Sequence, residues 1–366
     1  MLRRQTFLEN SKVLADSGEI TSDIWLRDPI TALWVELRAQ NGGTYNLANT
    51  LAGCIDSIEV IDGSNVLLSL DGYEAFAIGA YRQGHFGQQL IAETEGVYQN
   101  CFFPIFFGRW FGDEVLALDP THFNNLQVRF KWNLANVNDV GATGFLPGTG
   151  RLSILADVME GATPPVGVVT YKEHYSFMTG ASGVEYVDLP TDYPHKALYI
   201  RSYEAGAGGL SNISNIKVSC DQGKFVPLDM SKSNFLRWLS LRQQPFNYKQ
   251  ALKVTNGTTA YFVTKYLEEV VYQPEVADCI CNAPNSGIGE QTVLLHTAGV
   301  ADTAYRNVGA FVHGFLPYST AYMPWGEYDD ANTWLNPSLF RSIRLELTQD
   351  GAGGSAFVVV EQVRPY

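Results

Sequence analysis

The chain has 366 residues, a formal net charge of −13 and 17% charged residues, against about 25% in an average soluble protein. This length accommodates two domains, and the negative balance excludes a general role in coating nucleic acid through phosphate neutralisation. No apolar run reaches the roughly 18 to 20 residues that a bilayer-spanning helix needs. The 34 glycines and 16 prolines, set between short runs of Val, Ile, Phe and Tyr, predict an all-β sandwich architecture.

The first 29 residues are predicted to form an N-terminal arm with a short helix. The segment begins with basic side chains, Arg3, Arg4 and Lys12, but no apolar run follows them, so the pattern does not predict a secretory signal peptide. Apolar residues such as Phe7 lie loosely on one side of the predicted helix. The alternative is a frayed terminus without a fixed structure.

From Ile30 onward, period-two alternation predicts strands. A Gly-containing turn inside Ile58–Asp71 predicts a β-hairpin, and a short helix or turn is expected after it. Pro104 and Gly108 break helical periodicity in the aromatic run after Cys101, which favours a buried strand there. The predicted strands of this half are 30–40, 58–71 as a hairpin, 101–111, 126–132 and 151–159.

The second half repeats the first in the same order. Ile58–Asp71 aligns without a gap to Ile216–Asp229, so that Asp71 and Asp229 are predicted to occupy equivalent junctions between a strand and a helix. The segment from Asp119 aligns in the same way to the segment from Asn336. Further pairs join the strand after Ile30 to the strand after His195, and the two closing strands to each other. The sequence therefore predicts a tandem duplication of one β-domain.

The dipeptide Pro164-Pro165 is the predicted domain boundary. The first domain would then span 30–165 and the second 166–366. Two insertions distinguish the second copy, one at 166–194 and one at 249–307. After Asp229, a helix is predicted with Ser231 or Ser233 as its cap.

Recognisable catalytic motifs are absent from the sequence, which predicts a protein that is not an enzyme and has no cofactor. There is no GxSxG, P-loop, GxGxxG or HExxH. The six histidines lack metal-ligand spacing, and Cys279 and Cys281 lack the second pair that a zinc site requires. No metal site is therefore expected.

One stretch supports an alternative function. In Trp325–Asp330, carboxylates such as Glu327 and Asp329 alternate with aromatic rings that could stack on a sugar. A carbohydrate-binding or carbohydrate-active tandem sandwich would place its site there, although a glycosidase needs a second carboxylate across the sugar. The other interpretation is an exposed loop with solvated carboxylates and packed aromatic residues.

The order of these elements resembles the double jelly-roll major capsid proteins of tailless icosahedral phages with an internal membrane and of the adenovirus-like lineage. The features that carry the likeness are an arm, the strand TALWVELRAQ, the hairpin SIEVIDGSNVLLSL followed by a short helix, the strands FFPIFF and LQVRFKWNL, a closing strand, and then the whole set again.

The resemblance implies two tandem eight-stranded jelly-roll β-sandwiches with short flanking helices. It implies homotrimers that form pseudo-hexagonal capsomers in a virion, assembled in the host cytoplasm. The partners would be neighbouring capsomers, an internal membrane, and penton or minor capsid proteins, with no direct sequence-specific binding of nucleic acid. The arm residues Arg3, Arg4, Phe7 and Lys12 would lie on the inner face near the membrane.

Overall fold

The structure is a computed structural model of the chain. It describes residues 2–42, 50–85, 87–92, 95–136, 144–203, 209–255, 259–262, 269–274, 279–282, 291–297 and 305–366. The side chains of 88–92, 203 and 247–314 lie outside that description. Cys279 and Cys281, and the side chains of the insertion at 249–307, fall among them. No helix of the described residues is long and apolar enough to cross a membrane.

The described residues of the first half form nine strands and one α-helix. In chain order these are β1 (Leu2–Val13), β2 (Ser17–Asp23), β3 (Ile30–Gln40), β4 (Ile55–Asp62), β5 (Asn65–Leu70), α1 (Gly72–Gln83), β6 (Gln88–Ala92), β7 (Tyr98–Phe106), β8 (Leu126–Asn133) and β9 (Arg151–Glu160). Short 3-10 helices cover Leu51–Cys54 and Pro120–His122.

The second half follows the same plan with a longer insertion after its helix. Its elements are β10 (Gly167–Met178), β11 (Gly183–Asp188), β12 (His195–Tyr203), β13 (Ile213–Cys220), β14 (Phe225–Ser231), α2 (Lys232–Arg242), β15 (Phe246–Thr255), β16 (Thr259–Phe262), β17 (Glu269–Pro274), β18 (Cys279–Asn282), β19 (Gln291–Thr297), β20 (Tyr305–Gly314), β21 (Thr320–Pro324), β22 (Ile343–Gln349) and β23 (Ser355–Pro365). Short 3-10 helices cover Pro317–Ser319, Ala331–Thr333 and Pro337–Leu339.

Each half forms a jelly roll of two four-stranded sheets. In the first roll the strand orders are β1-β9-β3-β7 and β2-β8-β4-β5, and in the second they are β10-β23-β12-β21 and β11-β22-β13-β14. Strand for strand, the second set reproduces the first. The strands β6, β15, β20 and β17 extend the first of these sheets, and β16, β19 and β18 form a small separate sheet. The predicted fold class, two tandem eight-stranded jelly rolls, is confirmed.

The expectation of an N-terminal arm with a short helix is wrong for residues 2–23. These residues are β1, which pairs with β9 from Leu2 to Val13, and β2, which pairs with β8. The same error affected the second half, where most of the predicted insertion at 166–194 is β10 and β11, the counterparts of β1 and β2. The arm and this insertion are therefore two copies of the same pair of strands.

The physical reason for the error is that β1 lies at the edge of its sheet. None of its residues is buried, so the period-two signal that marks a half-buried strand is missing. Two register shifts after Phe7, and Ser11 at φ 50°, weaken the pattern further. Pairing with β9, about 150 residues away, determines the strand conformation here.

The duplication extends to individual cross-strand pairs. Ile58 lies opposite Phe130 and Val60 opposite Val128. In the second roll, Ile216 lies opposite Leu347 and Val218 opposite Leu345, as the sequence alignment requires. The turns that follow also match, because Asp62 accepts two backbone N–H groups from 124 and 125 and Asp221 accepts them from 341 and 342.

Two apolar cores result, one inside each roll. The central strands of the second roll contribute to both: Leu198 and Ile200 of β12 belong to the second core, whereas Ala197 and Tyr199 belong to the first. Because both faces of this sheet are buried, its strands have near-continuous apolar sequences.

Candidate functional site

The two rolls meet at an interface that we call the inter-roll junction, formed by β5 and α1 of the first roll and by β10, β12 and β23 of the second. Here β5 pairs in parallel with β10, with Ser69 opposite Lys172. This pairing joins one sheet of each roll into a single eight-stranded sheet. The junction is thus continuous backbone structure with a buried interior.

Helix α1 begins at Asp71, which forms a capping box with Glu74. Asp71 accepts the N–H of Glu74 at 2.6 Å, and the Glu74 carboxylate accepts the N–H of Asp71 at 3.0 Å. Burial, followed by the nearby Asp71 charge, raises the pKa of Glu74 well above its usual value. Arg201 of β12 donates to Asp71 at 2.7 Å, so the cap is also a contact between the rolls.

Asp229 occupies a different position, so the predicted equivalence with Asp71 is wrong. The second hairpin has two additional residues in its turn. Val60 pairs with Leu68, whereas its counterpart Val218 pairs with Leu228, which is two positions further along. The next pair shows the same difference, because Ile58 pairs with Leu70 and Ile216 with Met230. The counterpart of Asp71 is therefore Ser231, which caps α2. Asp229 lies within β14 and accepts a hydrogen bond from Asn215. An alignment without gaps could not reveal this.

The two aspartates should therefore differ in their effect on stability. We expect Asp71→Ala to lower the free energy of unfolding by about 2–4 kcal/mol, because it removes a helix cap and leaves the nearly buried Arg201 without its partner. Asp229→Ala, the matched control, should change it by no more than about 0.5 kcal/mol. Urea unfolding at a fixed protein concentration measures both. Equal losses would contradict the assignment.

At the centre of the junction, one buried carboxylate binds two buried cations. Glu361 of β23 lies 3.3 Å from Arg82 of α1 and 3.2 Å from Lys196 of β12, and all three side chains are at most 1% exposed. Tyr199 donates to the other carboxylate oxygen at 2.8 Å, and Arg82 also donates to the carbonyl of Gly108. The cluster joins the helix of one roll to two strands of the other.

The pKa values of the cluster follow from burial and charge. Burial alone would raise the pKa of Glu361, but the Arg82 and Lys196 charges lower it overall. Burial, and then repulsion by Arg82, lowers the pKa of Lys196 to about 7. The folded protein therefore keeps Arg82 and Glu361 charged near neutral pH, while Lys196 is about half protonated at pH 7 and loses its proton as the pH rises above that value.

This lowered pKa predicts a pH-dependent stability. Between pH 7 and the usual lysine value of 10.5, the unfolded chain binds more protons at Lys196 than the folded chain, so stability rises with pH. We expect this group to add about 2 kcal/mol to the free energy of unfolding between pH 7 and pH 9. In Lys196→Met that increment should disappear, whereas Lys131→Met, at an exposed position on β8, should keep it. Urea unfolding across this pH range measures the free energy of unfolding of each variant. If that free energy rises with pH in Lys196→Met as steeply as in the wild type, the assignment is contradicted.

The Trp325–Asp330 stretch covers this cluster. The Tyr328 ring lies 3.9 Å from the Lys196 ammonium and 4.7 Å from the Arg82 guanidinium, and its hydroxyl donates to the carbonyl of Arg109 in the first roll. Trp334 is buried and donates to the carbonyl of Glu327. The rings of Tyr328 and Trp334 are therefore already engaged by groups of the protein, and Trp325 is partly buried. Among the described residues, no group of three acidic, Cys or His side chains could hold a metal ion.

The four residues predicted for the arm lie on β1, at the edge of its sheet. Arg3 donates to the buried Asp157 at 2.7 Å, and Arg4 lies 3.6 Å from both Asp28 and Glu160. Phe7 is 47% exposed, and Lys12 lies 4.0 Å from Glu9. The structure thus distributes these side chains along one edge strand.

Arg82, Lys196 and Glu361 were missed by the sequence analysis. A usable signal exists for two of them, because Lys196 interrupts the apolar strand HKALYI and Glu361 interrupts VVVEQV. A charge inside a strand that is apolar on both faces needs a buried partner. Nothing in the sequence identifies which partner it has.

No protein-family model matches the sequence, and neither does any curated protein. Solved structures match over the whole chain. The STIV MCP, from Sulfolobus turreted icosahedral virus, has a TM-score of 0.60 and 11% identity over 99% of this chain and 97% of that one. The double jelly-roll fold is shared.

Two further structures agree with this assignment of the fold. The PBCV-1 virus capsid matches with a TM-score of 0.56 and 11% identity, covering 99% of this chain and 93% of that one. The major capsid protein P2 from bacteriophage PM2 matches with a TM-score of 0.54 and 12% identity, covering 100% and 98%. The chain and these double jelly-roll proteins are therefore similar from end to end.

Proposed function

We propose that this chain is a major capsid protein that forms trimeric, pseudo-hexagonal capsomers in the shell of an icosahedral virion. The observation that carries the proposal is the end-to-end likeness to the STIV MCP and to the major capsid protein P2 of bacteriophage PM2. In both comparisons the matched region covers at least 97% of each chain. Two rolls in each of three copies supply the six lobes of such a capsomer.

The surface of the chain supports this role. Large apolar side chains stand exposed on both rolls, among them Leu2, Trp25, Met178 and Leu241, each at least 63% exposed. A chain with few charges and many exposed apolar side chains is suited to large lateral contacts with neighbouring copies. Assembly of this kind needs no chemical step.

Further partners belong to the same proposal. They are neighbouring capsomers, an internal membrane, and penton or minor capsid proteins, and the shell would assemble in the host cytoplasm. Phe7 and Lys12, on the outer edge of β1, remain candidates for such contacts. Arg3 and Arg4 already form ion pairs within the chain.

Size-exclusion chromatography with light scattering tests the proposal. The expected result is a stable trimer that forms larger shells or sheets at high concentration. A protein that stays monomeric at every concentration, and that binds or cleaves glycans, would overturn it in favour of the carbohydrate alternative.

A further inference from the structure

The two flanking helices are counterparts in very different surroundings. Their caps, Asp71 and Ser231, set an offset of 160 between them. Nine of the twelve residues of α1 are buried, because α1 lies between the two rolls, whereas only Phe235 and Leu239 of α2 are buried. Tyr81 of α1 is 8% exposed, and its counterpart Leu241 is 87% exposed. One face of α2 therefore lacks the contacts that α1 makes with the second roll.

The same contrast holds for two arginines. Arg82 reaches Glu361 in the inter-roll junction, and its counterpart is Arg242. Both stand at the same place in their own rolls: Arg82 donates to the carbonyl of Gly108, and Arg242 lines a cavity with Gly326. Ala32 lies opposite Phe106, and its counterpart Ala197 lies opposite Pro324. Because Gly108 and Gly326 follow these two residues at the same distance, the two glycines are counterparts. Yet Arg242 is exposed, and its contact among the described residues is the Trp238 ring at 4.7 Å instead of a carboxylate.

The first roll carries the matching acid. Ala32 lies opposite Asp157 and Ala197 opposite Glu361, so these two buried carboxylates are counterparts. Asp157 is 2% exposed and accepts hydrogen bonds from Arg3 and Thr31, both at its Oδ2 atom. A surface depression of about 380 Å³, lined by Arg3, Arg4, Gln5 and Asp157, leads to it. A second cation at Oδ1 would reproduce the arrangement at Glu361, where one carboxylate serves two cations.

An aromatic ring completes the correspondence. Tyr328 packs on Arg82 at 4.7 Å within the chain. Phe106 and Pro324 are counterparts, and Trp110 and Tyr328 each lie four residues after them. Trp110 is therefore the counterpart of Tyr328 in the first roll, and it is 43% exposed. Arg109 of the same roll already packs on the Trp110 ring at 4.3 Å, so an incoming arginine would meet the acid and the part of this ring that stays exposed.

The strands at the sheet edges show the same contrast between a paired copy and an unpaired counterpart. Inside the chain, β5 joins β10, with Ser69 opposite Lys172. The counterparts of these strands are β14 and β1, and each lies at the free edge of its sheet among the described strands. The counterpart of Ser69 is Asp229. Gln5 lies opposite Asp157 and Tyr171 lies opposite Glu361, so Gln5 and Tyr171 are counterparts. The next residues of the two strands, Thr6 and Lys172, are therefore counterparts as well.

We propose that copies of this chain join head to tail by repeating the inter-roll junction between molecules. In this contact β14 and α2 of one copy meet β1 and β9 of the next, Leu241 and Arg242 enter the surface around Trp110 and Asp157, and Asp229 lies opposite Thr6. The contact uses two different faces, so it propagates around a ring that closes when the rotation permits. The inference rests on the proposed function and identifies the surfaces that would build the capsomer.

Cysteine cross-linking tests the predicted register. Neighbouring strands bring Cα atoms within the range of a disulfide, so oxidised Thr6→Cys/Asp229→Cys protein should run as linked dimers and trimers on a non-reducing gel. Mixing the two single variants should give linked dimers that contain one of each. Each single variant alone controls for the natural cysteines and should give no ladder.

Surface substitutions test the energetics. Leu241→Glu and Arg242→Glu, both at exposed positions on α2, should leave the circular dichroism spectrum unchanged and raise the concentration at which trimers dissociate by at least about tenfold. Leu339→Glu is the matched control, because Leu339 is 71% exposed but belongs to the 3-10 helix Pro337–Leu339 and to no element of the proposed contact; it should leave the trimer intact.

The outcomes separate this inference from the proposed function. A wild-type trimer that is weakened by both α2 substitutions and cross-linked through 6 and 229 supports both. A wild-type trimer that tolerates both substitutions and yields no cross-link would overturn the inference alone. A wild-type chain that never forms trimers overturns the proposed function.

Discussion

Glu361→Ala is expected to lower the free energy of unfolding by about 3–5 kcal/mol, because it leaves two buried cations without their shared carboxylate. Arg82 stays charged, so it bears the full free-energy cost of a buried charge without a partner. Lys196, with a pKa of about 7, can lose its proton and so avoid most of that cost. Most of the loss therefore comes from the guanidinium group. Urea unfolding at pH 7 and fixed protein concentration is the measurement.

Two controls make the result specific. Glu346→Ala removes a partly exposed carboxylate from Lys217 and should cost no more than about 1 kcal/mol. Replacing Arg82, Lys196 and Glu361 together by apolar residues of similar size should recover most of the stability, since no buried charge then remains. A triple variant as unstable as Glu361→Ala would show that the loss is not electrostatic.

Deletion of residues 2–13 should abolish folding or reduce stability by on the order of 5 to 10 kcal/mol, since it removes the backbone ladder between β1 and β9. It also exposes the edge of β9 and leaves Asp157 without Arg3. Soluble yield, and urea unfolding of any soluble fraction, measure the effect.

Phe7→Ala is the control for this deletion, because it keeps the strand and removes one half-exposed ring. It should cost no more than about 1 kcal/mol. A detached arm makes the opposite prediction: the deleted chain would then be soluble and would unfold at the wild-type midpoint.

Sequence patterns predicted the interior of the fold and missed its edges. The strands β3, β8 and β9 alternate buried apolar and more exposed residues, so their period is visible in the sequence. In contrast, β1 has no buried residue, and β11 has only one. Their conformation comes from hydrogen bonds to strands far along the chain, which leave no local pattern.

The candidate site was predicted less well, for a related reason. Asp71 caps α1 directly after the first hairpin, but the turn before Asp229 is two residues longer than its counterpart and shifts the second junction to Ser231. The ion cluster joins Arg82, Lys196 and Glu361 from three distant segments. Only the folded chain shows that these residues meet, because nothing in the sequence identifies which charge pairs with which.

Electron microscopy of the purified protein tests the central claim most directly, that three copies of two equivalent rolls form one capsomer. The predicted class averages show pseudo-hexagonal particles with six lobes and three-fold symmetry. Compact two-lobed particles at every concentration, with no ring, would contradict it.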